Sequence, residues 1–248
     1  MKNLIYSLMI FLLPKKIINF LGSLEAIKPL RDWLFDRKEV LKPKNLIKWN
    51  NLNFYFRAPL QILMKARTTG IESSLTRSIV KIINTDSNVI DIGANYGFIT
   101  LVCSKYVKNG GGNVYSFECN KNCFKNLKSS ITENKLNNTE LYNQYVGDKN
   151  TYTTKTVDSL IYKHCKKIDL IKIDTDGTDL NCLRGCYKIL KAFKPIVVIE
   201  INNNFEQIIK FLMQIGYKFF YDQYLKEIDQ TKKIIVPNLF SSIYQLKI

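Results

Sequence analysis

The sequence is poor in residues that build metal sites. Histidine occurs once, at position 164, and none of the six cysteines forms a C-x-x-C pair. A zinc site needs about four such ligands at close spacing, so we expect none here. The cysteines are interpreted instead as reduced thiols packed within a cytosolic protein, at positions 103, 119, 123, 165, 182 and 186.

Arginine is also scarce, although the chain carries a formal net charge of +16. It occurs only at positions 31, 37, 57, 67, 77 and 184, so lysine supplies nearly all of the positive charge. Proteins that read phosphate groups favour the planar arginine fork, and we therefore do not expect nucleic acid as a partner. The positive charge would still allow contact with an anionic membrane or with an acidic substrate molecule.

The sequence has no apolar run long enough to cross a bilayer. The segment from Leu4 to Leu13 holds about ten residues, whereas a membrane helix needs about 20. No small-residue cleavage site follows, so no signal peptide is expected. Residues 1–45 place apolar and basic positions at helical spacing. This pattern predicts a helical extension that either packs on the rest of the protein or lies in a membrane interface.

Residues 46–248 are predicted to form one α/β domain. NFYFRAPLQILMKARTTG predicts a short strand or hairpin, after which strands and helices alternate, as in a mostly parallel, doubly wound sheet. A last helix and the segments YKFFY and SSIYQL predict a closing antiparallel hairpin. Strands are predicted at 88–92, 113–118, 140–146, 168–174 and 195–201, and helices at 72–83, 98–106, 120–133, 180–192 and 205–215.

A turn of small residues follows the first of these strands, in VIDIGANYGFITL. Gly93 and Gly97 leave out side chains where the backbone would approach a ligand, and Asn95 tolerates a left-handed conformation. Asp91 stands two residues before Gly93. A carboxylate there would repel a pyrophosphate group but could hold an ammonium group. The turn therefore favours S-adenosylmethionine over a dinucleotide as the cofactor.

Three more candidate cofactor-binding residues follow the second and third strands. Glu118 comes roughly 20 residues after the glycine turn, a position from which an acid accepts hydrogen bonds from both ribose hydroxyls. Gln144 and Asp148 belong to the turn after the third strand. Because ligands bind beyond the carboxyl ends of the strands, all three are expected at one crevice.

The fourth strand ends in IDLIKIDTDGTDLNCLRG, which carries the candidate catalytic residues. Lys172 and Asp174 point to the same side of the strand. We interpret Asp174 as the base or orienting group for an acceptor hydroxyl, with Lys172 as its electrostatic partner. Asp176 and Asp179 either cap the next helix or serve the acceptor. Asp174, Asp176 and Glu200 would suit magnesium or calcium, but no resident metal is predicted.

Together these segments resemble the FkbM family of S-adenosylmethionine-dependent methyltransferases. The resemblance covers about residues 70–217 and rests on VIDIGANYGFITL, FECN, TVDSL, IDLIKIDTDGTDLNCLRG and PIVVIEI. The family implies a Rossmann-like class I methyltransferase fold with a seven-stranded sheet, and O-methylation of sugar or polyketide hydroxyls. Cys119 replaces the proline of the family's F-E-P, and Asp176 and Asp179 replace both glutamates of its K-x-D-x-E-G-x-E.

We therefore expect a methyltransferase that acts on a hydroxyl of a sugar, a glycan or another small molecule. Two alternatives stay open: a methyltransferase of RNA ribose hydroxyls, and a membrane-associated adaptor that retains the fold without catalysis. The chain carries Asp174-Thr-Asp-Gly after strand four, not the N/D-P-P-Y/F tetrapeptide of amino-group methylation in nucleic acids. The expected location is the cytoplasm, with peripheral contact at the inner face of a membrane through residues 1–45.

Overall fold

The computed structural model of the protein describes residues 45–68, 70–202, 204–229 and 236–246. The predicted N-terminal helical extension lies outside the described residues, apart from residue 45. Within these ranges, no helix combines the length and the apolar character needed to cross a membrane. The division into an extension and a catalytic domain stays a prediction.

Eleven strands and eight α-helices make up the described part of the chain. The strands are β1 (Leu46–Trp49), β2 (Leu52–Tyr55), β3 (Val89–Ile92), β4 (Val114–Phe117), β5 (Thr139–Tyr142), β6 (Tyr145–Val146), β7 (Thr154–Lys155), β8 (Leu170–Ile173), β9 (Ile196–Glu200), β10 (Phe219–Tyr221) and β11 (Asn238–Ser242). The helices are α1 (Leu60–Thr68), α2 (Ser73–Ile82), α3 (Phe98–Val107), α4 (Lys121–Glu133), α5 (Val157–Ile161), α6 (Asp179–Arg184), α7 (Tyr187–Phe193) and α8 (Phe205–Gln214).

Seven of the strands form the central sheet, in the order β10-β11-β9-β8-β3-β4-β5. Only β11 runs against its neighbours, which confirms the prediction of a mostly parallel sheet with a closing antiparallel pair. The two strands of this pair do not follow β9 in chain order, however. Strand β11 lies between β9 and β10, and it begins at Asn238, before the predicted SSIYQL segment.

Both faces of the central strands are buried, because helices cover the sheet on each side. Side chains of a strand alternate between faces, so Ile90 and Ile92 pack in one apolar cluster while Val89 packs in another. Every residue of β3, β4 and β8 is buried. This arrangement leaves the carboxyl ends of the strands as the place where ligands can enter the sheet.

The prediction of one helix over residues 180–192 is wrong, because the chain forms two helices there, α6 and α7. A side chain at Gly185 would collide with the carbonyl oxygen of Gly147, so the chain bends closely around that group. Asp158 then accepts hydrogen bonds from the backbone N–H groups of Lys188 (2.7 Å) and Ile189 (3.0 Å). A carboxylate from elsewhere in the chain therefore caps the start of the second helix.

The predicted third strand is also interrupted. Strand β5 ends at Tyr142, and Tyr145–Val146 leaves the central sheet to pair in parallel with β7. Between them, the Asn143 side chain donates hydrogen bonds to the carbonyl oxygens of Glu118 (2.8 Å) and Cys119 (3.2 Å). These bonds tie the turn to the end of β4 and direct residues 144–148 across the carboxyl edge of the sheet.

The segment before β3 forms an antiparallel hairpin of β1 and β2, followed by α1. Its strands carry Trp49 and Phe54, and Phe56 follows directly after β2. All three rings meet the ring of Phe98 edge-on, with centroids 5.6 to 6.3 Å apart. Because Phe98 is the first residue of α3, this aromatic cluster attaches the hairpin beside the glycine turn. Sequence analysis predicted a short strand or hairpin over residues 53–70. The observed hairpin lies earlier, over residues 46–55, and residues 60–68 of the predicted segment form α1 instead.

Candidate functional site

A cavity of about 580 Å³ opens at the carboxyl ends of β3, β4 and β8. Its volume lies in the range of sites for small molecules and cofactors, about 300 to 1,000 Å³. Most of the predicted site residues line it: Gly93, Asn95, Gly97, Glu118, Gln144, Lys172 and Asp174. Asp91 and Asp148 do not.

The glycine turn has the backbone conformation that its residues predict. Gly93, Asn95 and Gly97 have φ angles of 75°, 54° and 89°, all in the left-handed region. The expected reason for the glycines needs correction, however. A side chain at Gly93 would collide with the carbonyl oxygen of Asp174, and one at Gly97 with the side chain of Leu127. Close packing against the backbone therefore requires glycine at position 93, whereas at position 97 the left-handed φ favours glycine and the Leu127 side chain would have to move.

The Glu118 carboxylate links the turn to the end of β4. It accepts hydrogen bonds from the backbone N–H groups of Asn95 and Asn120, each at 2.7 Å. Although the side chain is nine-tenths buried, it still lines the cavity. A carboxylate oxygen has two lone pairs, so oxygens that each accept one protein bond keep capacity for ribose hydroxyls. The predicted role of Glu118 in cofactor binding remains compatible with this geometry.

Asp91 lies beneath the cavity, which corrects its predicted direct contact with a cofactor ammonium group. Asp91 is fully buried in β3, and the register of the sheet puts it directly opposite Lys172 of β8. The Lys172 Nζ atom lies 3.3 Å from Asp91 Oδ1, and the Thr100 hydroxyl donates to Asp91 Oδ2 at 2.6 Å. The ammonium group that Asp91 holds is thus that of Lys172.

Lys172 connects this buried acid with the cavity. Its Nζ atom lies 3.4 Å from Asp174 Oδ2 and donates a hydrogen bond to the Gly93 carbonyl at 3.1 Å. Burial by itself would lower the pKa of Lys172, but the charges of Asp91, Asp174 and Glu72 more than offset it and raise that pKa. Lys172 is therefore a fixed positive charge that orients Asp174 at the cavity surface.

The three other acids that follow β8 and β9 have different surroundings. Asp179 is buried and accepts hydrogen bonds from the backbone N–H groups of Thr175 (2.8 Å) and Gly177 (3.0 Å), so it caps its own loop. Asp176 and Glu200 line the cavity instead. Burial, and after it the charge of Asp174, raises the pKa of Glu200. Sequence analysis left open whether Asp176 and Asp179 have a structural role or serve the acceptor. The hydrogen bonds of Asp179 give it the structural role, whereas Asp176 faces the cavity.

Asp174, Asp176 and Glu200 offer carboxylate oxygens that lie within 4.8 Å of one another. Oxygen donors at this spacing suit magnesium or calcium, although exposed acids often cluster without an ion. The prediction that the protein holds no resident metal stays a prediction.

Gln144 and Asp148 flank strand β6 in the chain and line different cavities. The Gln144 side chain donates to the carbonyl oxygens of Tyr145 (3.1 Å) and Thr153 (2.9 Å) while it lines the main cavity. Asp148 lines a smaller neighbouring cavity of about 210 Å³, which also includes Tyr145. The structure therefore does not bring Asp148 together with the other predicted cofactor-binding residues.

Sequence analysis missed one complete wall of the cavity. This wall comes from the segment between β2 and α2, and its residues are Phe56, Ile62, Ile71 and Glu72. No motif marks these residues, because only the packing of the hairpin on Phe98 brings them to the site. Lys172 did offer a signal for its pairing with Asp91, since a lysine within a buried strand requires a carboxylate partner.

Comparison with known proteins relates part of the chain to one family of enzymes. Residues 151–219 match the family model described as the methyltransferase FkbM domain. This part of the chain is similar to FkbM methyltransferases. The resemblance identified from the motifs is therefore confirmed, and the match supports S-adenosylmethionine as the cofactor. No curated protein sequence matches the chain.

Solved structures confirm the fold. The chain is similar to the methyltransferase FkbM from Methylobacillus flagellatus KT, with 16% identity and a TM-score of 0.54 over 73% of this chain and 52% of that one. It is also similar to the precorrin-6y C5,15-methyltransferase from Geobacter metallireducens GS-15, with 14% identity and a TM-score of 0.51 over 79% and 98%. The chain thus spans about half the length of the Methylobacillus protein.

Proposed function

We propose that the protein transfers the methyl group of S-adenosylmethionine to a hydroxyl group of a sugar, a glycan or another small molecule. The observation that carries the proposal is the cavity itself. It combines the left-handed glycine turn and Glu118 with the pair of Lys172 and Asp174 at one edge of an FkbM-type fold. The first two would bind the donor, and the pair faces the space left for an acceptor.

The cavity residues fit S-adenosylmethionine by their charge and by their apolar surface. The acids that line the cavity, Glu72, Glu118, Asp174, Asp176 and Glu200, suit a cofactor with a sulfonium and an ammonium group. Apolar surface from Phe117 and Ile92 borders Glu118, next to the expected ribose position. When bound, the cofactor would supply a methyl group activated by the positive sulfur.

The chain's own residues would align the acceptor and remove its proton. A neutral hydroxyl is a weak nucleophile, so a nearby base must accept the proton as the new bond forms. Asp174 is the carboxylate in position to do so. Its Oδ2 atom is held by Lys172 Nζ at 3.4 Å, and the residue also lines the cavity. Most of the remaining rate enhancement would come from alignment and from the exclusion of water.

The charges around the cavity favour an acceptor without phosphate groups. Among the described residues that line it, five are acidic and only Lys172 is basic. A phosphate group would be repelled by this surface, even though the chain as a whole has a net charge of +16. We therefore place uncharged sugars ahead of RNA as acceptors. Membrane contact through residues 1–45 stays a prediction.

Methyl transfer can be tested with the full chain and S-adenosylmethionine labelled in its methyl group. The acceptors would be methyl glycosides, sugar phosphates and total RNA, each with and without EDTA. We expect label in the neutral glycosides. Transfer to RNA alone would replace the proposal by ribose methylation, and failure to bind the cofactor in calorimetry would contradict it altogether.

Asp174→Asn provides the matched test of the proposed base. It should lower kcat by about 10²- to 10⁴-fold, the usual contribution of a general base, while the affinity for S-adenosylmethionine changes little. Asp148→Asn is the control, because Asp148 lies outside the main cavity and should leave kcat unchanged. An unchanged kcat in Asp174→Asn would remove Asp174 from the mechanism.

A further inference from the structure

Glu72 stands in the cavity wall in an unusual backbone conformation. It directly precedes α2 and has φ 46° and ψ 49°, in the left-handed region that a glutamate rarely adopts. Hydrogen bonds from Thr76 hold this turn: its backbone N–H donates to the Glu72 carbonyl (2.8 Å) and its hydroxyl to the Ile71 carbonyl (3.2 Å). The Glu72 side chain does not cap the helix but lines the cavity.

Glu72 differs from the other acids near the glycine turn in having no protein partner. Asp91 is held by Lys172 and Thr100 beneath the cavity, Glu118 accepts two backbone hydrogen bonds, and Asp174 is paired with Lys172. Within the described ranges, the Glu72 carboxylate accepts no hydrogen bond and forms no ion pair. Among the described residues, Glu72 therefore shares with Asp176 a carboxylate that lines the cavity and is available to a ligand, and of the two it is Glu72 that belongs to the wall before α2.

Glu72 lines the same cavity as Lys172 and Asp174, and their charges act on its carboxylate, whereas Glu118 is not among the groups that do. The charged groups that act on it are Lys172, Asp174 and Asp91, and more weakly Lys65 of α1. Glu72 is solvent-exposed, but desolvation by the protein atoms around it raises its pKa, and the charge of Lys172 offsets only part of this effect. An unpaired acid in such a place would be stabilised by a cationic ligand group.

The two ends of the cavity match the two ends of the proposed cofactor. If Glu118 takes the ribose, as its position after β4 indicates, the amino-acid part extends toward Gly93 and Lys172. At that end Asp91 is buried beneath the cavity and Asp174 is paired with Lys172, which leaves Glu72 as the unpaired carboxylate for the ammonium group.

We propose that Glu72 binds the amino group of the methionine part of S-adenosylmethionine, the role that the sequence suggested for Asp91. This inference rests on the proposed function, because it concerns the same donor site. It makes the segment before α2 part of the cofactor site, although the segment lies outside the glycine-turn motif.

The test compares two ligands by calorimetry on the full chain. S-adenosylhomocysteine carries the amino-acid part, whereas 5′-methylthioadenosine lacks it and keeps only the adenosine and the sulfur. Glu72→Gln should weaken the first ligand about 10- to 100-fold, the contribution of a charge-assisted hydrogen bond, and change the second less than about twofold. Glu118→Gln is the matched control and should weaken both ligands to a similar extent.

Several outcomes would overturn the inference. The first is that Glu72→Gln binds S-adenosylhomocysteine as tightly as the wild type, and the second is that it loses affinity equally for both ligands. The third is that Asp174→Asn, and not Glu72→Gln, loses affinity for S-adenosylhomocysteine alone. If the wild-type chain bound neither ligand, the proposed function itself would be contradicted. This result is distinguishable from a failure of the Glu72 inference, in which the wild type still binds. Glu72→Asn, which tolerates the left-handed conformation, repeats the test should Glu72→Gln not fold.

Discussion

The floor and the wall of the cavity are built on different physical principles. The floor consists of strand ends and the turn at residues 93–97, where hydrogen bonds and a buried ion pair hold polar groups in fixed positions. The wall, from Phe56 to Glu72, is attached by aromatic packing on Phe98 and presents a carboxylate without a protein partner. The floor is therefore specified by local motifs, whereas the wall depends on contacts between distant parts of the chain.

The largest effect is expected for Gly93→Ala in the floor. The new methyl group would collide with the Asp174 carbonyl at a φ of 75°, and we expect a loss of more than about 4 kcal/mol in the free energy of unfolding. Urea denaturation would measure it. Gly111→Ala is the control, because it has a φ of 84° with no atom within 4 Å, and should cost only about 1 kcal/mol. Equal losses would show that φ alone matters.

Lys172→Met should cost slightly less, about 3 to 5 kcal/mol, because it leaves Asp91 as a buried charge without its partner. The double variant Asp91→Asn/Lys172→Met should recover part of this loss. Lys167→Met provides the comparison, since its ion pair with Asp86 is exposed and should contribute at most about 1 kcal/mol. The unfolding midpoint in urea distinguishes the three variants, and a small loss for Lys172→Met would contradict the buried pair.

Phe98→Ala tests the connection between wall and floor. Removing the ring eliminates three edge-on contacts, and a buried phenylalanine contributes about 3 kcal/mol or somewhat more. We expect hydrogen exchange to rise first in β1 and β2, while the strands of the central sheet stay protected. Tyr152→Ala, at a fully exposed ring, should change neither quantity. Uniform exchange across both regions would show that wall and floor unfold together.

The smallest effect concerns the pH dependence of stability at Glu72. Its pKa is raised in the folded protein, so folding favours the protonated acid. The stability of the wild type relative to Glu72→Gln should therefore be greatest below the ordinary glutamate pKa and fall as the pH rises through the raised value. Urea titrations from acid to neutral pH would measure the difference. A relative stability that rises with pH would reverse the assigned direction.

The elements with strong local patterns could be predicted from the sequence. The left-handed turn was predictable because Gly93, Asn95 and Gly97 are residues that adopt positive φ, and the buried strands because of their apolar runs. The break in the 180–192 helix was not, because its causes are the carbonyl of Gly147 and the carboxylate of Asp158. The site shows the same difference between features set by local residue types and features set by contacts between distant parts of the chain.

Asp91 shows the limit of reading a site residue from its motif. The motif gave its position two residues before Gly93, but the strand register decided its partner, since Asp91 lies opposite Lys172. Glu72 shows the converse. Its residue type and neighbours carry no motif, and only the backbone turn and the packing of the hairpin direct its carboxylate into the cavity.

The position of β11 within the sheet has a consequence for how the protein is made. Strand β9 ends at residue 200, but its outer neighbour is completed only at residue 242. At ordinary rates of synthesis, the ribosome needs roughly 2 to 8 s for that interval. During this time the apolar strand β9 has an unpaired edge, which can pair with other nascent chains. The yield of folded protein should therefore depend on chaperones that protect this edge until translation reaches β11.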